Sequence, residues 1–196
     1  MKTKNILILN GHPDEKSFNH ALALAYYKGA RQANSNVSII HLRDLKFNPN
    51  LQYGYRKRTD LEPDLLSSIE KIKEADHIVW VFPMWWYGYP ALLKGFIDRT
   101  FLPGITYDFE KGKSTPKKLL QGKSSRIIIT ADTPRWYDRL VMGSPAINQF
   151  KKGTLQFCGI RSVKVTYISP IKNSKERDRK KWLNKVTEIG SRDISG

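Results

Sequence analysis

One cysteine, Cys158, among 196 residues leaves no internal disulfide to form. That fits a reducing, cytoplasmic setting. No apolar run approaches the roughly 18–20 residues of a membrane span, so membrane contact is at most peripheral. The opening MKTKNILILNGHPDE has a basic tip, but its apolar run is short of a secretory core and lacks a small-residue cleavage site. It reads as an N-terminal strand. There is no internal repeat and no low-complexity segment. Acidic residues are scarce, 18 against 34 Lys and Arg, for a net charge of +16. Such a balance attracts polyanions. No nucleic-acid motif accompanies it, and the cations spread along the chain with mild clusters at 55–58, 111–123 and 172–185. A solvated basic surface that favours anionic small ligands is the simpler reading, and nucleic acid is disfavoured.

What is present is ordinary in amount, 40% hydrophobic and 27% charged, and strongly ordered in pattern. The length supports one domain over 1–196. Strands are expected at Lys4–Asn10, Asn36–His41, His77–Phe82, Arg126–Thr130 and Val163–Ile168. Helices are expected at Phe18–Asn34, Pro63–Ala75, Ala91–Thr100, Ala146–Phe157 and Lys175–Arg192. The first, third and fourth strands are nearly continuous apolar runs, the mark of strands buried on both faces. Alternating β and α units predict an α/β fold: a doubly wound, five-stranded parallel sheet of flavodoxin-like order 2-1-3-4-5, helices on both faces. Ligands bind such sheets beyond the carboxyl ends of the strands, where the winding reverses. Here that point lies between strands one and three.

Two loops meet there. The first, NGHPDEKSFNHA, is neither G-x-G-x-x-G nor a phosphate-binding G-x-x-x-x-G-K-[ST] loop. It still joins a strand to a helix, with Ser17 at the N-cap position. Helix N-termini bind anions through free N–H groups and the positive dipole end. Ser17, Asn19 and His12 are candidate donors; plain capping is the competing reading, and Asp14 and Glu15 oppose an anion unless they point away. The second loop, PMWWYGYP, crowds Trp85, Trp86, Tyr87 and Tyr89 into eight residues. Exposed aromatics need a cover, whether core, partner chain or flat ligand.

Together GHPDEKSFNHAL, FPMWWYGYPALLKGFIDRTF and the later FCGI resemble the flavin-dependent NAD(P)H:quinone oxidoreductases of flavodoxin-like fold, the DT-diaphorase relatives. The resemblance runs from Lys4 to about Ile168. It implies FMN, or FAD as the alternative, with NAD(P)H as electron donor and a quinone or similar flat acceptor reduced in ping-pong fashion. A homodimer is also expected, in which each site borrows residues from its partner to cover the aromatic loops. On this resemblance His12, Ser17, Phe18 and Asn19 border the flavin phosphate and ribityl chain. Pro83, Met84, Trp85, Trp86 and Tyr87 border the isoalloxazine, with Trp86 and Tyr87 expected on the flavin and core or partner chain an equal alternative for Trp85 and Tyr89. The segment TADTPRWY stands where many relatives have T-T-G-G followed by a tyrosine. It makes Thr130, Asp132 and Thr133 candidate cofactor contacts, Trp136 a pocket residue and Tyr137 the weak acid of the reaction. Gly143 stands where larger relatives carry an active-site histidine, so that group does not transfer. Tyr107 and Phe109 resemble positions that cover the partner's flavin. Some relatives instead serve as regulatory subunits of potassium-efflux transporters, the alternative function.

Simpler roles fit other residues. Cys158 and Trp80 read as core, Asp98 and Arg99 as a structural pair or surface charges, and His20, His41 and His77 show no metal-ligand spacing. Tyr53 and Tyr55, in a basic loop, are candidates to cover the site or meet a partner.

Overall fold

The computed structural model describes residues 3–195. Its main sheet has strands β1 (Asn5–Asn10), β2 (Asn36–His41), β3 (His77–Pro83), β6 (Ser124–Thr130) and β7 (Ser162–Ile168). All are parallel, in the order β2-β1-β3-β6-β7. This is the doubly wound order expected, with a small antiparallel ribbon, β4 (Tyr107–Asp108) and β5 (Lys117–Lys118), inserted before the fourth main strand. The ribbon has two residues per strand and carries no alternation by which the sequence could mark it.

The three central strands are buried almost throughout, while edge strands β2 and β7 are only partly buried. Helices α1 (Phe18–Gln32) and α6 (Glu176–Ser195) cover one face, packing Leu22, Tyr26 and Val186 on Ile8, Val81 and Ile128. Helices α2 (Pro63–Glu74) and α3 (Ala91–Thr100) cover the other, with Leu65 and Phe96 on Leu7, Trp80 and Ile129. Trp80 and Cys158 are core residues. Between β6 and β7 lie α4 (Arg135–Leu140), α5 (Pro145–Asn148) and a π-helix, Gln149–Gln156. A single α-helix over Ala146–Phe157 was expected. The wider winding instead buries Phe150 and Leu155, five residues apart, on one side.

Asp98 and Arg99 do not pair with each other. Lys94 Nζ meets Asp98 on the surface at 2.5 Å. The buried Arg99 guanidinium donates to Glu62 Oε2 at 2.8 Å and to the Asp60 carbonyl at 2.6 Å, pinning the long loop that precedes α2. Neighbouring helix residues point to different sides, so adjacency in sequence did not imply contact.

Helix α6 is tied down at its far end. Asp193 accepts two hydrogen bonds from Arg126, one through Nη2 at 2.7 Å and one through Nε. Tyr26 Oη and Lys164 Nζ also donate to it, at 3.1 and 3.2 Å. The backbones of α1 and α6 approach closely, for a Cβ on Gly29 would lie 1.8 Å from the Thr187 carbonyl oxygen. Burial alone would raise the Asp193 pKa, but the Arg126 guanidinium overrides it and holds the carboxyl down to about 2. Burial holds the neighbouring His77 imidazole down to about 4.

Both shifts work against acid. The unfolded chain takes up a proton on histidine near 6.5, which folded His77 refuses until about pH 4. Unfolded Asp193 is protonated near 3.8, but in the folded chain only near 2. The unfolding temperature should therefore fall in two stages, from pH 6.5 to 4 and again from 3.8 toward 2. His77→Gln should flatten the first stage, worth roughly 2–3 kcal/mol. Thermal melts across pH check this; an unchanged first stage in the variant would contradict it.

Candidate functional site

Strands β1 and β3 lie side by side, and the chain leaves their carboxyl ends toward opposite faces. A cavity of about 290 Å³ opens between those departures. The loop after β1 lines it with His12, Asp14, Ser17, Phe18 and Asn19; the loop after β3 adds Pro83, Met84 and Trp85. The end of β6 contributes Thr130, Ala131 and Asp132.

The first loop is preorganised. Ser17 is the N-cap of α1, its Oγ accepting from His20 N at 3.2 Å. The amides of Phe18 and Asn19, in the first turn, have no intrahelical acceptor and are free for an anion. Capping and anion binding are thus compatible: one donor is capped and two remain. Asp14 accepts from Lys16 N at 2.9 Å through Oδ1, which turns that carboxylate oxygen back onto its own loop. The His12 Nδ1 accepts from Asp14 N at 2.9 Å, so the ring proton sits on Nε2. Burial lowers the His12 pKa further, keeping the ring a neutral N–H donor near pH 7. Asn19 reaches across the sheet end, its Nδ2 donating to Thr130 Oγ1 at 2.9 Å with both side chains buried. That bond fixes the two rims of the cavity relative to each other.

The second loop closes as a tight hairpin. Trp85 and Gly88 exchange backbone hydrogen bonds at 3.1 and 2.9 Å. Between them Trp86 and Tyr87 both adopt left-handed backbone, φ 50° and 54°. Two consecutive such residues make a turn of the type that normally takes Asn-Gly. This geometry separates the four rings. Trp85 lies on the cavity with its ring edge-on to His12, centroids 5.5 Å apart. Trp86 projects fully into solvent, at 101% exposure, and neither it nor Tyr87 lines the cavity. Tyr89 turns inward against Phe82 and Phe150. Within one chain Trp85 thus lines the cavity, whereas Trp86 and Tyr87, the two rings expected on the flavin, do not.

The third segment also sorts itself. Thr130 and Asp132 line the cavity, although Asp132 Oδ1 accepts from Lys172 N at 2.6 Å and so also braces the loop after β7. The Thr133 carbonyl lies outside, accepting from Tyr167 Oη at 2.9 Å. Burial pushes the Tyr167 pKa up to about 12, so this phenol is committed as a donor. Trp136 and Tyr137 sit on α4, edge-on to each other and both exposed, Tyr137 at 37%. Tyr107 is brought to Phe109 and Phe157, centroids 5.7 and 5.0 Å apart, beside a second cavity also lined by Tyr55 and Cys158. Neither Tyr107 nor Phe109 lines the first cavity. Sequence reasoning missed Asp14, Ala131, Ile171 and Arg179 as cavity lining. Arg179 lay in the run RDRKKW, read as a solvated helix face; no spacing rule brings α6 back to the first loop.

Fold and cavity together define a doubly wound α/β protein with an open cavity at its switch point. A family profile described as flavodoxin-like fold matches residues 4–189, and the chain belongs to that family. It is 29% identical over 184 residues to a protein of Haemophilus influenzae named an uncharacterized NAD(P)H oxidoreductase, covering 91% of this chain and 90% of that one. It is 28% identical to NAD(P)H dehydrogenase [quinone] 1 of Cavia porcellus, over 81% of this chain and 66% of the relative. Among solved structures it resembles Smu.1420 from Streptococcus mutans UA159, with a TM-score of 0.81 and 34% identity over 96% of this chain and 99% of that one.

The Asn19–Thr130 bond is testable without a ligand. Asn19→Ala and Thr130→Val should each cost about 1–3 kcal/mol, and the double variant less than their sum. Denaturant unfolding of the four proteins measures the coupling; strict additivity would show that the bond does not join the rims.

Proposed function

We propose that the chain is a flavin-dependent NAD(P)H oxidoreductase that reduces quinones or similar flat acceptors by two electrons, in ping-pong exchange. The observation that carries this reading is the two-ended cavity at the switch point. One end offers the free amides of α1 and the neutral Nε2–H of His12; the other offers the apolar side chains of Met84 and Trp85. That donor set fits a flavin, with phosphate and ribityl groups at the helix end and rings against the aromatic loop. One anion pole suits the single phosphate of FMN, which we favour over FAD. No helix of the described residues is long and apolar enough to cross a membrane.

A flavin bound here would supply the two-electron chemistry between a nicotinamide and an acceptor. The chain does the rest. His12 and the first turn of α1 would anchor the anionic end. The Asn19–Thr130 bond holds the rims apart at fixed width. Trp85, Met84 and Pro83 present a stiff wall, and flat molecules stack on such walls with little loss of freedom. Thr130 and Asp132 would border the ring edge, while Thr133 would act through its backbone. Tyr137 is the hydroxyl proposed to donate a proton to the acceptor oxygen, since Tyr167 is committed to Thr133.

The exposed aromatics extend the proposal to a homodimer. Trp86, Tyr87 and Trp136 stand beyond the cavity; Tyr107 lines the second one, and the exposed Phe109 packs edge-on against Tyr107. A second copy would cover the first group with the second, enclosing the substrate slot in shared walls. The relatives named NAD(P)H oxidoreductase and NAD(P)H dehydrogenase [quinone] support the reading.

The purified protein should carry flavin that bleaches with NAD(P)H and recovers its colour with a quinone, and double-reciprocal rate plots should be parallel. Tyr137→Phe should lower kcat by about 10²-fold with flavin retained. A protein that neither binds flavin nor oxidises NAD(P)H with a quinone would overturn the proposal.

A further inference from the structure

We propose that Arg179 is the counter-charge for a terminal phosphate monoester in the switch-point cavity, and that it makes the site prefer FMN to unphosphorylated riboflavin. This rests on the flavin reading above. The cavity lining carries two carboxylates, Asp14 and Asp132, and, among the described residues, one cation, Arg179. His12 is neutral, its pKa lowered first by burial. A phosphate monoester brings about −1.5 to −2 charges at pH 7. Without Arg179 that group would meet two like charges in the lining, opposed by amide dipoles at the start of α1 and, from behind His12 and outside the lining, by Arg43.

Arg179 is also held for the task. Its Nε donates to Ser174 Oγ at 2.9 Å, and its guanidinium lies over the Phe18 ring at 5.5 Å. Phe18 in turn rests on Trp182, ring centroids 6.0 Å apart. The stack therefore places the guanidinium beside the residue whose amide opens α1. One donor is spent on Ser174, and the others make no hydrogen bond among the described residues. A planar fork with free donors suits a phosphate. Helix preference does not explain the residue. Arg179 sits in the first turn of α6, where the dipole disfavours a cation and where Glu176 and Asp178 supply the usual acids.

The test compares two ligands that differ only in the phosphate. Flavin-free protein is titrated with FMN and with riboflavin, following quenching of flavin fluorescence. Wild type should bind FMN the tighter. Arg179→Met keeps an apolar contact with Phe18 and removes the charge; it should weaken FMN about 10- to 100-fold and leave riboflavin within about twofold. Arg179→Lys should recover part of the loss. Unfolding midpoints of the flavin-free variants should match wild type. FMN affinity unchanged in Arg179→Met, or FMN and riboflavin weakened equally, would overturn the proposal and leave Arg179 as a prop for Phe18. Wild type that binds neither flavin would overturn the functional reading itself, and this inference with it.

Discussion

The pairing of β1 with β3, followed by departures to opposite faces, is the constraint on which the site depends. A parallel sheet buries both faces, so each crossover helix must choose a side. Helix α1 goes with α6, and α2 and α3 go to the other layer. Two adjacent strand ends are thereby left with no helix between them, and the loops that follow become the walls of a cleft. The depth of burial along β1, β3 and β6 makes this floor rigid. The buried bond between Asn19 and Thr130 then locks a helix start to a strand end.

Electrostatics divides the cleft in two. At one end, helix amides and a neutral imidazole offer donors. The carboxylates that also line that region are in part engaged by backbone amides of Lys16 and Lys172. At the other end the hairpin turn of Trp86 and Tyr87 decides which aromatic faces in. Left-handed backbone at two non-glycine residues costs on the order of 1 kcal/mol each. The reciprocal bonds of Trp85 and Gly88 and the burial of Tyr89 oppose that cost.

The fold was legible in the sequence because its signals are periodic and local. Continuous apolar runs such as His77–Phe82 and striped helices such as Pro63–Ala75 need no tertiary information. The position of the cavity was legible for the same reason, since topology alone names the strand ends between which a cleft opens. Side-chain direction was not. Nothing in PMWWYGYP says that residues 86 and 87 take positive φ, and that single fact leaves Trp85 on the cavity and turns Trp86 to solvent. The π-helix was hidden because Ala146–Phe157 has an adequate α-helical pattern. Arg179 was hidden because a cation on a polar helix face looks alike whether it meets water or a cavity.

The central claim is that a flavin lies in the cleft between β1 and β3, its phosphate on the first turn of α1 and its rings beside the aromatic loop. Amide hydrogen exchange with and without FMN locates it most directly. The account predicts slower exchange at 17–20, 84–88 and 131–133, with the distant ends of the strands unchanged. Protection confined to other segments, or none at saturating FMN, would contradict it.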